Sequence, residues 1–167
     1  GHDVPERVAG VDLFHELLAM SARQGYSVYL LGAQDAVVGE TARRVEQLYP
    51  GLKLAGYHHG YFWDDEQAIV NKVRESGAQL LFVAITSPKK ENFINKWRDQ
   101  LGVTFVMGVG GTFDVVAGKV KRAPLWMQKY GLEWLYRVIQ EPRRMWKRYL
   151  VTNTKFAWML LKAKLKG

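Results

Sequence analysis

Four short apolar runs, spaced by amphipathic stretches, constrain this chain more than any other feature. The runs are YSVYLLGA (26–33), LKLAGYHHGYF (52–62), QLLFVAIT (79–86) and VTFVMGVGG (103–111). Each is too short for a buried helix, rich in β-branched and aromatic residues, and closed by glycine or a turn residue, so each reads as a strand. The stretches between them carry helical spacing. In VDLFHELLAMSARQG, Leu13, Leu17 and Met20 fall on one face and Gly25 supplies the stop. AVVGETARRVEQLYPG is amphipathic and ends on Pro-Gly, and DDEQAIVNKVRESGA opens on acids that suit a helix N-terminus. SPKKENFINKWRDQLG predicts Ser87 as N-cap with Pro88 at the first helical position, and TFDVVAG predicts a short helix after the fourth run.

Strands alternating with helices of about 10–15 residues form βαβ units and a parallel sheet. The fold class expected is therefore α/β, a Rossmann-like, mostly parallel sheet with flanking helices. Such sheets bind ligands beyond the carboxyl ends of their strands. Three strand ends, 32–35, 86–90 and 108–114, become the places to look. The first confident element is a helix with no strand before it, so an N-terminal βα portion is expected to be missing.

Bulk properties narrow the function classes. The 167 residues suit one domain with a real core, and 48% apolar with 24% charged residues is a globular composition. The chain has no cysteine, which excludes a disulfide framework and cysteine-based metal sites. His2, His15, His58 and His59 lack a metal-ligand spacing, and the adjacent pair is expected to point apart on a strand, so no metal site is expected. No signal peptide and no apolar run near the roughly 20 residues of a bilayer span is visible, which makes a cytosolic location the default expectation.

Charge divides the chain. Residues 1–117 carry 11 Lys/Arg against 14 Asp/Glu, whereas residues 118–167 carry 13 against 2. After Pro124 the strand rhythm stops and a helical segment follows. It holds four of the six tryptophans, Trp126, Trp134, Trp146 and Trp158, beside Tyr130, Tyr136 and Tyr149. Aromatics mixed with basic residues are what an interfacial surface needs, with rings at headgroup depth and cations on anionic lipid. The bland reading packs some of these rings on the sheet. Nucleic acid is the alternative partner the basic tail alone motivates, and the reading sets it aside.

The stretch GVGGTFD (108–114) matches neither the Walker pattern nor a complete dinucleotide fingerprint. Its interest lies in its position. Glycines at a parallel strand's carboxyl end admit a ligand to the backbone, and amides at a helix start favour phosphate. Asp114 either favours the helix N-terminus or accepts from the ring N–H of a nucleobase.

Several stretches together carry a family resemblance: ERVAGVDL, VYLLGA, GYF, TSPKKENF, GVGGTFDVVAGKVKRAP, GLEWLYRVIQEPRR and RYL. In this order and spacing, from about Pro5 to Leu150, the chain resembles the WecG/TagA/CpsF glycosyltransferases, glycosyltransferase family 26, most closely the TagA branch. The resemblance implies an inverting, metal-independent transfer of N-acetylmannosamine from a UDP-sugar to undecaprenyl-diphosphate-linked N-acetylglucosamine, a step in wall teichoic acid synthesis. Another branch uses N-acetylmannosaminuronic acid instead. A catalytically incomplete module that binds a nucleotide or an anionic membrane is the reading from a different class.

The resemblance also implies residue roles. Uracil would lie near Tyr61 and Asp114, and the diphosphate near Gly108, Gly110 and Gly111. Thr86, Ser87 and Lys90 would meet substrate. Arg7 would act near the reaction centre, and Arg137, Arg144 and Arg148 would offset charge on the departing UDP. Residues 1–118 would form the UDP-sugar-binding core. Residues 119–167 would form a helical appendage that meets the anionic membrane surface and caps the active site, peripheral at the cytoplasmic face. A homo-oligomer is compatible with all of this. Two departures stand out. The family's general-base aspartate is expected upstream of ERV, with no counterpart here, so this chain alone is expected to be catalytically crippled if it is the complete molecule. Many members have Lys-Gln-Glu where this chain has Lys89-Lys90-Glu91. A lysine keeps a donor and loses the amide oxygen.

Overall fold

In a computed structural model, residues 10–142 are described together with Leu150, Thr154, Trp158, Met159 and Lys162. The chain separates into two units, Gly1–Lys119 and Val120–Gly167. The first is an α/β unit with a four-stranded, wholly parallel sheet. Its elements run α1 (Gly10–Gln24), β1 (Ser27–Gly32), α2 (Asp35–Leu48), β2 (Lys53–His58), α3 (Glu66–Glu75), β3 (Leu80–Ala84), α4 (Lys89–Trp97), β4 (Phe105–Gly108) and α5 (Thr112–Val116). The strand order is β2-β1-β3-β4, so the chain steps to one side of β1, crosses back over it, and continues to the other.

Both faces of the sheet are covered, which is why its central strands read as unbroken apolar runs. Alternation sends Val28, Leu30, Leu80 and Phe82 to one face, where they pack with Phe14 and Leu18 of α1, Val38 and Val45 of α2, and Phe113 of α5. Tyr29, Leu31, Leu81 and Val83 face the other side, against Val70 and Val73 of α3 and Phe93 and Trp97 of α4. Parallel pairing of Val28 with Leu80 through Gly32 with Ala84 keeps the two sets in phase.

Three local expectations change. The buried stripe of α1 is Phe14, Leu18 and Ser21, one residue on from the expected Leu13, Leu17 and Met20, because the fully buried Phe14 ring packs edge-on against Phe82 at 4.8 Å. Helix α4 begins at Lys89, with Pro88 itself at the cap position, Ser87 giving no side-chain cap, and a cis Ser87–Pro88 peptide. The His58 and His59 rings do not point apart. His59 already lies beyond β2, so strand alternation no longer applies to it, and the ring centroids are 4.2 Å from each other. The acids before α3 act as expected, since the Asp65 side chain accepts from the Ala68 amide at 3.0 Å.

The second unit contains α6 (Leu125–Lys129) and α7 (Glu133–Gln140). The Gln140 side chain clasps the backbone of Lys121, donating to its carbonyl at 2.9 Å and accepting from its amide at 2.8 Å. Among the described residues, no helix is long and apolar enough to cross a membrane.

Candidate functional site

The carboxyl edge of the sheet carries most of the residues singled out by sequence. Beyond β4, the Val109 amide donates to the Val83 carbonyl at 3.0 Å and extends the ladder one step. The chain then turns within four residues. The Val109 carbonyl accepts from both the amide of Thr112, at 3.1 Å, and its hydroxyl, at 2.7 Å. Gly110 takes a φ of +54° in this turn, and a Cβ placed on it would meet nothing within 4 Å. The turn therefore presents open backbone at the strand end.

Behind the turn, α5 is tied to α2. The buried Thr41 hydroxyl lies 2.8 Å from the Val37 carbonyl and 3.2 Å from that of Phe113. This bond fixes the first turn of α5 and with it Asp114, which is only 6% exposed. At the other end of α5, Arg44 donates to the Val116 carbonyl at 3.0 Å. Lys119 reaches the β1–α2 loop, where its ammonium donates to the Gln34 side chain at 2.8 Å.

Lys90 and Gly108 are brought together. A Cβ on Gly108 would lie 2.6 Å from both Cδ and Cε of Lys90 and 3.1 Å from its ammonium nitrogen. The lysine stem thus lies across the strand end in a space that only glycine leaves. The Lys90 amide donates to the Thr86 carbonyl at 3.2 Å, closing the β3–α4 turn, and its ammonium pairs with Glu91 at 3.2 Å. The Glu91 carboxyl is held below its ordinary range, chiefly by its own backbone N–H and further by Lys90 and Ser87. Thr86 and Ser87 are exposed beside it.

Tyr61 stands on the same edge, past β2, with two strands between β2 and β4. The residue is 67% exposed, and its amide donates to Nδ1 of His59 at 3.1 Å. Arg137 lies in α7, with Nε 3.9 Å from Glu141 Oε2. Arg7, Arg144 and Arg148 lie outside the described residues. Among the described residues, no group of three or more His, Asp or Glu side chains is placed to hold a metal ion.

The Glycosyl transferase WecG/TagA/CpsF family profile matches residues 1–167. The chain belongs to the WecG/TagA/CpsF glycosyltransferase family. A relative from Bacillus spizizenii is 39% identical over 150 residues, covering 90% of this chain and 58% of the relative. One from Bacillus subtilis strain 168 is 38% identical over 156 residues, covering 93% and 60%. Both are named N-acetylglucosaminyldiphosphoundecaprenol N-acetyl-beta-D-mannosaminyltransferase. The chain thus spans about three-fifths of the length of these relatives.

Sequence reading missed two features of the site. One is the covering of Gly108 by Lys90. The other is a groove between α3 and α4, lined by Trp63, Glu66, Lys89, Asn92, Phe93 and Lys96 and about 240 Å³ in volume. Its signal in the sequence was the clustering of Lys89, Asn92, Phe93 and Lys96 at spacings of three, four and seven, which a helix gathers on one side.

Proposed function

We propose that this chain is the donor-binding part of an inverting glycosyltransferase that moves N-acetylmannosamine from its UDP-sugar to undecaprenyl-diphosphate-linked N-acetylglucosamine, within wall teichoic acid synthesis. The observation that carries this is the family match over the whole chain, together with two relatives at 38–39% identity whose names state transfer of N-acetylmannosamine to N-acetylglucosaminyldiphosphoundecaprenol.

In this reading the diphosphate of UDP lies at the Gly108–Gly111 turn, where open backbone and the Lys90 ammonium meet it. Uracil lies toward Asp114 and Tyr61. A hydroxyl of the acceptor sugar attacks the anomeric carbon of the donor from the face opposite the leaving group. The new C–O bond forms as the bond to UDP breaks, and the hydroxyl proton passes to a carboxylate base. Charge that develops on the departing diphosphate is offset by Lys90 and by Arg7, Arg137, Arg144 and Arg148, which take the part a divalent metal takes elsewhere. Lys90 in place of the family glutamine exchanges a neutral amide for a full charge at that turn.

The segment from Pro124 onward would place the enzyme on the cytoplasmic membrane face. Leu125, Trp126, Tyr130 and Trp158 are exposed in a region of strong positive charge, which supports membrane contact. Release of UDP from UDP-N-acetylmannosamine, dependent on a soluble lipid-diphosphate N-acetylglucosamine, tests the transfer. Release from a different UDP-sugar alone would overturn the choice of donor. Sedimentation with anionic vesicles, with and without residues 124–167, tests the membrane contact, which fails if truncation leaves binding unchanged.

A further inference from the structure

The groove between α3 and α4 is not used by the donor in the reading above, yet it opens from the same turn of α4. Consecutive helical residues point about 100° apart. Lys90 accordingly lies toward β4 and Gly108, while Lys89 lies toward Trp63, its ammonium 4.7 Å from the ring centroid. The floor of the groove is aromatic. Phe62 stacks on Trp63 at 5.1 Å and meets Phe93 edge-on at 5.3 Å.

The two lysines of the groove differ in charge balance. Lys96 sits 4.6 Å over the Trp97 ring and donates to Glu66 at 2.8 Å. Glu66 also accepts from the Trp97 indole N–H at 2.6 Å, and its carboxyl is held below its ordinary range, first by Lys96 and then by Trp97. Among the described residues, no carboxylate pairs with Lys89, whose ammonium lies over the face of Trp63. A cation–π contact orients an ammonium without neutralising it. The groove therefore carries one uncompensated positive charge next to an aromatic wall, with Asn92 also in its lining.

We propose that this groove holds the phosphate-bearing sugar of the acceptor, with Lys89 meeting the phosphate and Trp63 the apolar face of the sugar ring. The inference rests on the transferase reading and goes beyond it by giving the acceptor its own subsite. Its volume of about 240 Å³ lies below the roughly 300–1,000 Å³ of drug-sized sites and suits a single ring. A transfer between two diphosphate-bearing substrates brings two clustered anionic groups to one edge. Lys90 lies at the turn assigned to the first, and Lys89 is the uncompensated cation on the other side of the same helical turn.

The test is a titration of the full chain, followed by tryptophan fluorescence, with a water-soluble short-chain prenyl diphosphate bearing N-acetylglucosamine and, separately, with UDP. Lys89→Gln should weaken the glycosyl diphosphate about tenfold, equivalent to about 1.4 kcal/mol, and change UDP affinity less than twofold. Lys53→Gln, an exposed lysine at the amino end of β2, should change neither. UDP binding by the unmodified chain tests the donor reading. The groove assignment is judged on the glycosyl diphosphate alone. It is overturned if the unmodified chain does not bind that probe, or if Lys89→Gln binds it equally well. A parallel loss of UDP affinity would put Lys89 at the donor and overturn the assignment too. So would a Lys89→Gln effect confined to phosphatidylglycerol vesicles, which would make the groove a lipid headgroup site.

Discussion

Two strands of the sheet end in glycine at its carboxyl edge, and the two ends do different work. At β1, Gly32 has a φ of +127°, and a Cβ there would lie 2.4 Å from the Ala84 carbonyl oxygen. The Ala33 amide then donates to the Ala84 carbonyl at 2.9 Å, and the Ala33 carbonyl accepts from the Gly60 amide at 2.8 Å. Backbone fills this end and ties β2, β1 and β3 together. At β4, Gly108 lies under a lysine side chain, and Gly110 faces open space. The strand order reverses between β1 and β3, the usual place for a ligand in an open α/β sheet. Here the backbone bonds between β1 and β3 occupy that switch point, and the open glycine backbone lies one strand further on.

The difference gives four predictions in descending order of effect. Gly32→Ala forces an L-residue into a conformation open essentially to glycine and drives its Cβ into backbone, which has no flexible end to move aside. It should destabilise the fold by about 3 kcal/mol or more, read as a fall in melting temperature of about 6–12 °C. A fall of a degree or two would mean that the β1 end is as open as the β4 end. Gly108→Ala meets only the flexible stem of Lys90. Stability should change by less than about 1 kcal/mol while UDP affinity drops about tenfold, because the ammonium is displaced. Unchanged affinity would separate Lys90 from the donor.

Gly110→Ala should cost about 1 kcal/mol, the strain of a positive φ without a collision. A larger loss, seen by thermal or denaturant unfolding, would show the turn to be enclosed. The smallest effect is a pH dependence confined to one end. The depressed pKa of Glu91, set first by its own backbone N–H and further by Lys90 and Ser87, means that these contacts contribute fully above the unfolded value near 4.5 and are lost as pH falls through the lower folded value. Amide exchange around 86–91 should therefore speed up on acidification more than exchange at 32–33, where the ties are between backbone groups. Equal acceleration at both ends would contradict this.

The sheet was legible because buried parallel strands leave continuous apolar runs, and all four were found in order. Helix phase was less secure. Leu13, Leu17 and Met20 fit helical spacing as well as Phe14, Leu18 and Ser21 do, and only the packing of Phe14 on Phe82 separates the two stripes. The start of α4 was missed because Ser-Pro is a favoured opening in general, and a cis peptide leaves no mark in the residue types. Within the site, the turn at 108–111 and the 86–90 segment were visible as glycines and polar residues at strand ends. Nothing in the sequence distinguished Gly32 from Gly108, since what each meets is set by a neighbouring strand or helix. The groove depends on residues 63–66 meeting residues 89–96, a contact made by two helices packing on the same face of the sheet.

The central claim is that the open β4 end, not the filled β1 end, receives a nucleoside diphosphate. Amide chemical shifts of the isotope-labelled chain during titration with UDP test it most directly. The account predicts saturable shifts centred on residues 108–114 and 86–90, weakened by Gly108→Ala. Shifts centred on 32–35 without the β4 turn, or no response to UDP where a single-stranded oligonucleotide gives one, would contradict it.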